Sequence, residues 1–255
     1  MIELPATMCC AEKTLDSLIG SIYNGISDNT PKDDQYFLDR TILCGINKDV
    51  DAINDIFLDK LYPNVQKHVK WSVDSVNLPD DGNGPRYPIE FLQSLTASGL
   101  PLAKLILKAG APIMALRNLD PSIGLCNGTR MIVEEVRQRV LKCRIITGDA
   151  KFAGNTVFIP RIALEPSDKT LPVPLRCLQF PVRLSFSMTI NKSQGQGLGN
   201  VGLYLQTPVF SHGQLYVALS RCTSADRIKI LLPEDNTNNK TRNIVYRAVF
   251  RGLQM

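Results

Sequence analysis

The segment Ser187–Leu198 reads SMTINKSQGQGL, an apolar run leading into a Lys-Ser pair and two glycines. Turning glycines, a cation and a hydroxyl are the ingredients of a phosphate-handling loop. Their order is wrong for a P-loop, G-x-x-x-x-G-K-[ST], in which glycine amides wrap the phosphates before the lysine reaches them. Lys192 follows Asn191, and no Gly-Lys dipeptide occurs in the chain. Gly197, Gly199 and Gly202 do match G-x-G-x-x-G. A dinucleotide site needs a helix to open inside that match, whereas VGLYL, residues 201–205, reads as a strand, so the match is taken as chance.

Around this loop the chain alternates strands and helices. TILCGIN, residues 41–47, reads as a strand followed by a helix capped by Asn47 and running through Val50, Ile53, Phe57 and Leu61 to the stop at Pro63. Leu15, Leu18, Ile19 and Ile22 lie at helical spacing, with Gly25 as a C-cap. VRLSFSMTI, VGLYL and RIKILL read as strands, with a helix from Ser211 and a last helix near RNIVYRAVF, residues 242–250. Strand-loop-helix units of this kind build an α/β sheet. Between Leu105 and Leu164 the texture changes to short β-prone segments separated by Gly and Asn-Gly, the pattern of a small antiparallel barrel.

Residues 211–222 read SHGQLYVALSRC. Ser211 and Gln214 form an S-x-x-Q capping box. Leu215, Ala218, Leu219 and Cys222 make the buried stripe, and Gln214, Val217 and Arg221 an adjacent one. An arginine at a helix end suits charge stabilisation on a phosphoryl group, because its fork of donors matches phosphate oxygens. The plainer reading is a surface arginine placed favourably at the helix C-terminus.

Composition narrows the class. The chain has 255 residues, 44% of them hydrophobic, enough for a sizeable core. No apolar run is long enough to span a membrane, and the start, MIELPATMCCAEK, has no secretory pattern. Seven cysteines, an odd number without CxxC spacing, and two histidines argue for free thiols in an intracellular chain and against structural zinc. The net charge of +5 is polarised: residues 1–90 carry −7, residues 91–175 carry +5 and residues 176–255 carry +7. The basic part fits an anionic partner, nucleic acid or nucleotide.

FSMTINKSQGQGL and VGLYLQTPVFSHGQLYVALSR resemble the last motifs of the PIF-type DNA helicases, RecD-like members of helicase superfamily one that include those of Helitron transposons. ILCGINKDVDAIN is similar to the first motif of that family's second motor domain. The stretch from EFLQSLTASG to LCNGTR, residues 90–130, resembles its small inserted module. Two departures stand out. Gly197 replaces the usual threonine, which would loosen the start of a following helix. The P-loop and the acidic magnesium motif of the family's N-terminal motor domain are absent from these residues.

The resemblance implies a RecA-like α/β second motor domain, residues 1–87 and 176–255, with an SH3-like β-barrel inserted at 88–175. It implies ATP and Mg2+ held mainly by an N-terminal motor domain, with single-stranded DNA as the other partner and a nuclear or mitochondrial location. Arg221 would be the arginine finger. Gln194 and Gly195 would line the ATP cleft, with Gln214 in support. Thr189, Asn191, Lys192 and Ser193 would lie where the loop links nucleotide to DNA. Asn47 would touch DNA backbone or nucleotide, or simply cap its helix, and His212 would donate to a phosphate or satisfy its loop. In the barrel, Arg117, Asn118, Asn127 and Arg130 are the polar positions beside tight turns, although Asn127-Gly128 also suits a plain hairpin. Trp71, Tyr87 and Phe91 are candidates for stacking on a base or for packing in the core. The function implied is half of an ATP-dependent 5′-to-3′ DNA helicase. The competing reading is a truncated, non-catalytic DNA-binding remnant of a transposon helicase.

Overall fold

A computed structural model describes residues 1–76, 87–95, 97, 99–148, 150–166 and 171–246. The chain divides into two compact units, residues 1–62 with 186–255, and residues 63–185.

The first unit is built on a four-stranded parallel sheet. Its order is Ser187–Thr189, Arg40–Cys44, Asn200–Tyr204, Ile228–Leu231. The middle strand is buried, with Ile42, Leu43 and Cys44 fully inaccessible, as expected of a strand covered on both faces. The eight-residue helix Leu15–Ile22 is capped by Thr14, whose hydroxyl accepts from the Ser17 amide. A Cβ at Gly202 would lie 2.9 Å from Ile42 and 3.1 Å from Ile22. Gly202 is therefore a mid-strand packing glycine, which explains why the G-x-G-x-x-G match is no nucleotide loop. The helix Asn47–Lys60 is tied to the sheet by a buried polar clasp. Asn54 Oδ1 accepts from the Ser187 amide at 2.9 Å, and Ser187 Oγ donates to the Val50 carbonyl at 3.0 Å. The rings of Tyr23, Phe57 and Phe186 complete the core, Phe57 and Phe186 stacked at 5.1 Å and Tyr23 edge-on to Phe57 at 4.6 Å.

The second unit is antiparallel throughout. A five-stranded sheet runs in the order Val182–Leu184, Pro112–Ala115, Arg130–Val136, Val140–Ile145, Thr156–Pro160. A three-stranded sheet holds Ile162–Leu164, Leu175–Gln179 and Val73–Val76, and a two-stranded one joins His68–Trp71 to Lys104–Leu107. These pairings move the boundaries outward from the expected 88–175. Residues 68–76 and 175–184 join the antiparallel unit because their backbone partners are there.

Several local expectations are corrected. VRLSFSMTI is two strands belonging to different units, Val182–Leu184 and Ser187–Thr189. The N-cap of the helix Asn47–Lys60 is Ile46, with Asn47 already inside the first turn. The helix after Phe210 is shorter than expected, Gln214–Leu219, and its cap is Gly213 in the left-handed region at φ 68°. No helix follows Gly197; the chain runs into the strand Asn200–Tyr204. Residues 242–246 form neither helix nor strand, and the rest of the expected last helix lies outside the described residues.

Candidate functional site

In a parallel sheet the loops after the strands gather at one edge, and ligands bind where neighbouring connections leave in opposite directions. Here that point lies between Arg40–Cys44 and Asn200–Tyr204, the pair from which the chain crosses outward to either side. Gly45–Asn47 follows the first strand, and residues 205–213 follow the second. A Cβ on Gly45 would sit 3.7 Å from the Thr207 carbonyl, so the two loops run close together.

Gln214 ties this edge together. It is buried, its Oε1 accepts from the Phe210 amide at 3.0 Å and the Ser211 amide at 3.3 Å, and its Nε2 lies 3.5 Å from the Gly45 carbonyl. The glutamine half of the expected capping box thus exists without the serine half. Burial also corrects the role assigned to Gln214: its amide is used in holding loops and is not offered to a ligand.

Arg221 lies just past the helix end, half-buried. Its Nε donates to the Val217 carbonyl at 3.0 Å and its Nη2 to Ser220 Oγ at 2.9 Å. Its Nη1 donates to the carbonyls of Ser193 and Gln196, both at 3.3 Å. The expected free projection is therefore corrected: the guanidinium is folded back onto the Ile190–Gln196 loop. The bonds are to neutral acceptors, with no carboxylate among them, so the full positive charge remains for an anion.

The loop itself splits by exposure. Asn191, Lys192, Gln194 and Gly195 are exposed and Thr189 is half-buried, while Ser193 is fully buried. Ser193 Oγ donates to the Ile190 carbonyl at 2.7 Å, so it closes the 3-10 turn and offers nothing to a nucleic-acid backbone. Gly195 has φ 78°, a conformation that explains glycine there, while Gly197 has neither a positive φ nor a neighbour within 4 Å. His212 is exposed. Its Nδ1 accepts from the Tyr246 amide at 3.0 Å and its ring stacks on Tyr246 at 5.2 Å. That nitrogen is an acceptor here, so the loop-satisfying role is the one observed. Asn47 is exposed at the switch point.

In the antiparallel unit Arg130 is 0% exposed, and its Nη2 donates to the Ser185 carbonyl at 3.1 Å. It is a core arginine and presents no surface to a DNA strand. Asn127 is exposed in the turn, its amide held by Asn118 Oδ1 at 2.8 Å, while the Gly128 amide bonds the Ala115 carbonyl. Tyr87 stacks on Phe91 at 5.6 Å.

Sequence reasoning missed Asn54, the clasp to Ser187, although a lone polar residue on an apolar helix stripe was a signal. At the carboxyl end of its strand, burial raises the Tyr204 phenol above its ordinary value, with the Asp49 carboxylate adding to the shift. Among the described residues no group of three or more His, Cys, Asp or Glu is arranged to hold a metal ion, and no helix is long and apolar enough to cross a membrane.

Comparison with known proteins adds independent findings. The family profile "DNA helicase Pif1, 2B domain" matches residues 90–136. The chain is 31% identical over 199 residues to the ATP-dependent DNA helicase Pif1 of Campylobacter jejuni, covering 75% of this chain and 42% of that protein. It is 33% identical over 144 residues to human ATP-dependent DNA helicase PIF1, covering 55% of this chain and 21% of that protein. The chain thus spans less than half the length of these relatives. Among solved structures, Pif1 helicase from Bacteroides in complex with ADP-AlF3 and single-stranded DNA superposes with a TM-score of 0.58 at 25% identity, covering 93% of this chain and 49% of that one. Pif1 helicase from Candida albicans shares the fold with a TM-score of 0.57 at 24% identity, over 92% of this chain and 57% of that one.

Proposed function

The chain belongs to the PIF-type DNA helicases, and from that premise we propose that it is the C-terminal motor half of an ATP-dependent 5′-to-3′ DNA helicase. Its 255 residues hold no Gly-Lys dipeptide, so the phosphate cradle and the magnesium ligands come from an N-terminal motor domain. This chain contributes the second wall of the ATP cleft: Arg221 as arginine finger, Gln194 and Gly195 lining the cleft, and Gln214 holding the loops that shape it. Single-stranded DNA is gripped by Thr189, Asn191 and Lys192, with Asn47 as a further contact and His212 positioning its loop; Asn127 is a candidate DNA contact of the antiparallel unit taken by itself. The antiparallel unit is read as the family's SH3-like barrel, and the working location as nuclear or mitochondrial.

The observation that carries this reading is the bond from Arg221 to the Ser193 and Gln196 carbonyls. A guanidinium prefers charged phosphate oxygens to neutral carbonyls. When a γ-phosphate enters, Arg221 exchanges those carbonyls for it, and the loop bearing Asn191 and Lys192 is released. Nucleotide occupancy is thereby converted into a change of grip on the strand. Bound ATP supplies the phosphoryl chemistry; the guanidinium supplies charge at the γ-phosphate, which is worth about 10³–10⁵ in rate for such a residue.

The test is reconstitution. The chain joined to an N-terminal motor domain of a PIF-type helicase is expected to hydrolyse ATP with stimulation by single-stranded DNA, and Arg221→Ala to keep ATP binding while losing turnover. Turnover unchanged by Arg221→Ala removes the finger assignment. A joined protein that binds oligonucleotide yet never turns over supports the second reading, a non-catalytic DNA-binding remnant.

A further inference from the structure

The antiparallel unit carries an exposed apolar face that the site above does not use. Along residues 68–76 every second side chain points outward: Val69 is 47% exposed, Trp71 50% and Val73 60%. The partners across the ladders share that face. Leu178 lies opposite Val73 and is 37% exposed, and Ala163, opposite Leu178, is exposed too. Directly opposed residues on antiparallel strands lie side by side, so Val73, Leu178 and Ala163 adjoin one another, while Trp71 and Val69 continue the exposed alternation along the same stretch of chain into the ladder with Lys104–Leu107.

The surface is held rigid from beneath. The Gln179 side chain is fully buried and its Nε2 donates to the Lys70 carbonyl at 3.0 Å and the Ala103 carbonyl at 3.2 Å, at the joint where the ribbon changes partners. Arg161 Nη1 donates to the Trp71 carbonyl at 2.9 Å while its guanidinium rests on the Phe180 ring. The backbone under the indole is therefore fixed, and a rigid aromatic loses little entropy on binding.

The rim is cationic. Lys104 lies opposite Trp71 with its ammonium 5.7 Å from the ring centroid, and Arg176 lies opposite Ser75. Both are exposed, and none of the residues at these outward register positions is acidic; Glu165 stands just past the end of its strand. Aromatic and aliphatic surface bordered by Lys and Arg matches a polymer with alternating bases and phosphates. A cross-strand pair of indole and ammonium offers a stacking face and a phosphate partner a few ångströms apart.

We propose that the Val69–Trp71–Val73–Leu178 face is a stacking platform for single-stranded nucleic acid, built from residues of the antiparallel unit alone, with a base on Trp71 and phosphates on Lys104 and Arg176. It rests on the reading of the chain as a binder of single strands, but assigns a site of its own.

Trp71 is the only tryptophan, so the intrinsic emission reports on this face alone. The whole chain is titrated with a fluorescein-labelled oligothymidylate, and binding is followed by dye anisotropy and by tryptophan emission together. Saturable quenching with the same midpoint as the anisotropy is expected, weakening as salt rises. Trp71→Ala should weaken binding by about fivefold or more, Trp71→Phe should retain most of it because a ring still stacks, and Lys104→Ala should lower the salt slope. Anisotropy that rises without any change in emission, or Trp71→Ala with unaltered affinity, overturns the platform while leaving strand binding by the loop intact. Absence of any oligonucleotide binding overturns both. A blue-shifted emission with dimers in light scattering would identify a second copy of the chain as the occupant and also overturn the proposal.

Discussion

Arg221 Nη1 donates to the Ser193 carbonyl at 3.3 Å across 28 residues of sequence, and the same nitrogen reaches Gln196. One guanidinium thus clamps both ends of the segment that carries Gln194 and Gly195. The segment's own bonds are local: the Gln194 amide to the Asn191 carbonyl at 3.4 Å and the Gln196 amide to the Ser193 carbonyl at 3.1 Å. The clamp is a long-range tie on the segment itself, beside the Leu198 amide's bond to the Arg221 carbonyl at 2.9 Å just beyond it, so its loss should be felt in the loop before it is felt in the fold.

Arg221→Ala is accordingly expected to raise hydrogen exchange at the Gln194 and Gln196 amides while the strand Arg40–Cys44 keeps its protection. Arg221→Lys should give an intermediate result, because one ammonium cannot span the acceptors that a planar fork spans. Peptide-level exchange by mass spectrometry reads this on the chain alone. Unchanged exchange over residues 190–196 in Arg221→Ala would mean that the clamp does not govern the loop.

Lys192 and Arg130 are a matched pair of cations with opposite environments. Lys192 is exposed on the loop and Arg130 is wholly buried. Lys192→Ala should leave the melting temperature within a degree or two and lower oligonucleotide affinity and salt slope, by about one charge's worth. Arg130→Ala should do the reverse, costing about 2–3 kcal/mol of stability through lost packing and a stranded carbonyl at Ser185. Thermal melts and anisotropy titrations at two salt concentrations separate the two, and an affinity loss confined to Arg130→Ala at full stability would return that residue to the DNA surface.

Three glycines make a sharper test of the backbone. Gly202→Ala places a methyl 2.9 Å from Ile42 and should cost about 1–3 kcal/mol as an overpacked core. Gly195→Ala meets no atom within 4 Å but must hold φ 78°, costing roughly 1–2 kcal/mol. Gly197→Ala meets neither obstacle, and should be neutral or stabilise by about 0.4–1 kcal/mol by narrowing the unfolded ensemble. Denaturant midpoints give the order; Gly197 as the most sensitive of the three would contradict the loop conformation.

What the sequence made legible follows from where periodicity acts. The parallel strands Arg40–Cys44, Asn200–Tyr204 and Ile228–Leu231 and the helix Asn47–Lys60 could be placed because uniform apolar runs and a 3.6-residue stripe mark them. The boundary at Pro63 could not, since His68–Trp71 and Val73–Val76 carry the same alternation as any strand and only their partners assign them to the antiparallel unit. Arg130 was misplaced for a related reason: an arginine after Asn-Gly looks solvent-facing until the register of Arg130–Val136 turns it inward. Gln214 and Ser193 were recognisable as motif residues, but not as buried ones. Their polar atoms are satisfied by carbonyls and amides contributed by residues apart in sequence, or by a turn whose closure no propensity announces.

Alkaline stability gives the last prediction. Burial pushes the Tyr36 phenol up to about 12, and does the same to the Cys143 and Cys177 thiols. Each folded-state value lies above its ordinary one, so each group is held neutral in the native protein and ionises first in the unfolded chain. Their contribution is fully present below the unfolded values, near pH 9 for the thiols and pH 10 for the phenol, and is lost as pH rises towards about 12. Stability should therefore be flat in this respect through neutral pH and decline steeply above pH 9. Tyr36→Phe removes a titrating group whose hydroxyl donates to the Asn24 carbonyl at 3.0 Å. That variant should start slightly less stable at pH 8 and lose less between pH 9 and pH 11. Denaturant titrations at fixed pH values compare the slopes, and parallel curves for the two proteins would exclude Tyr36 as a source of the decline.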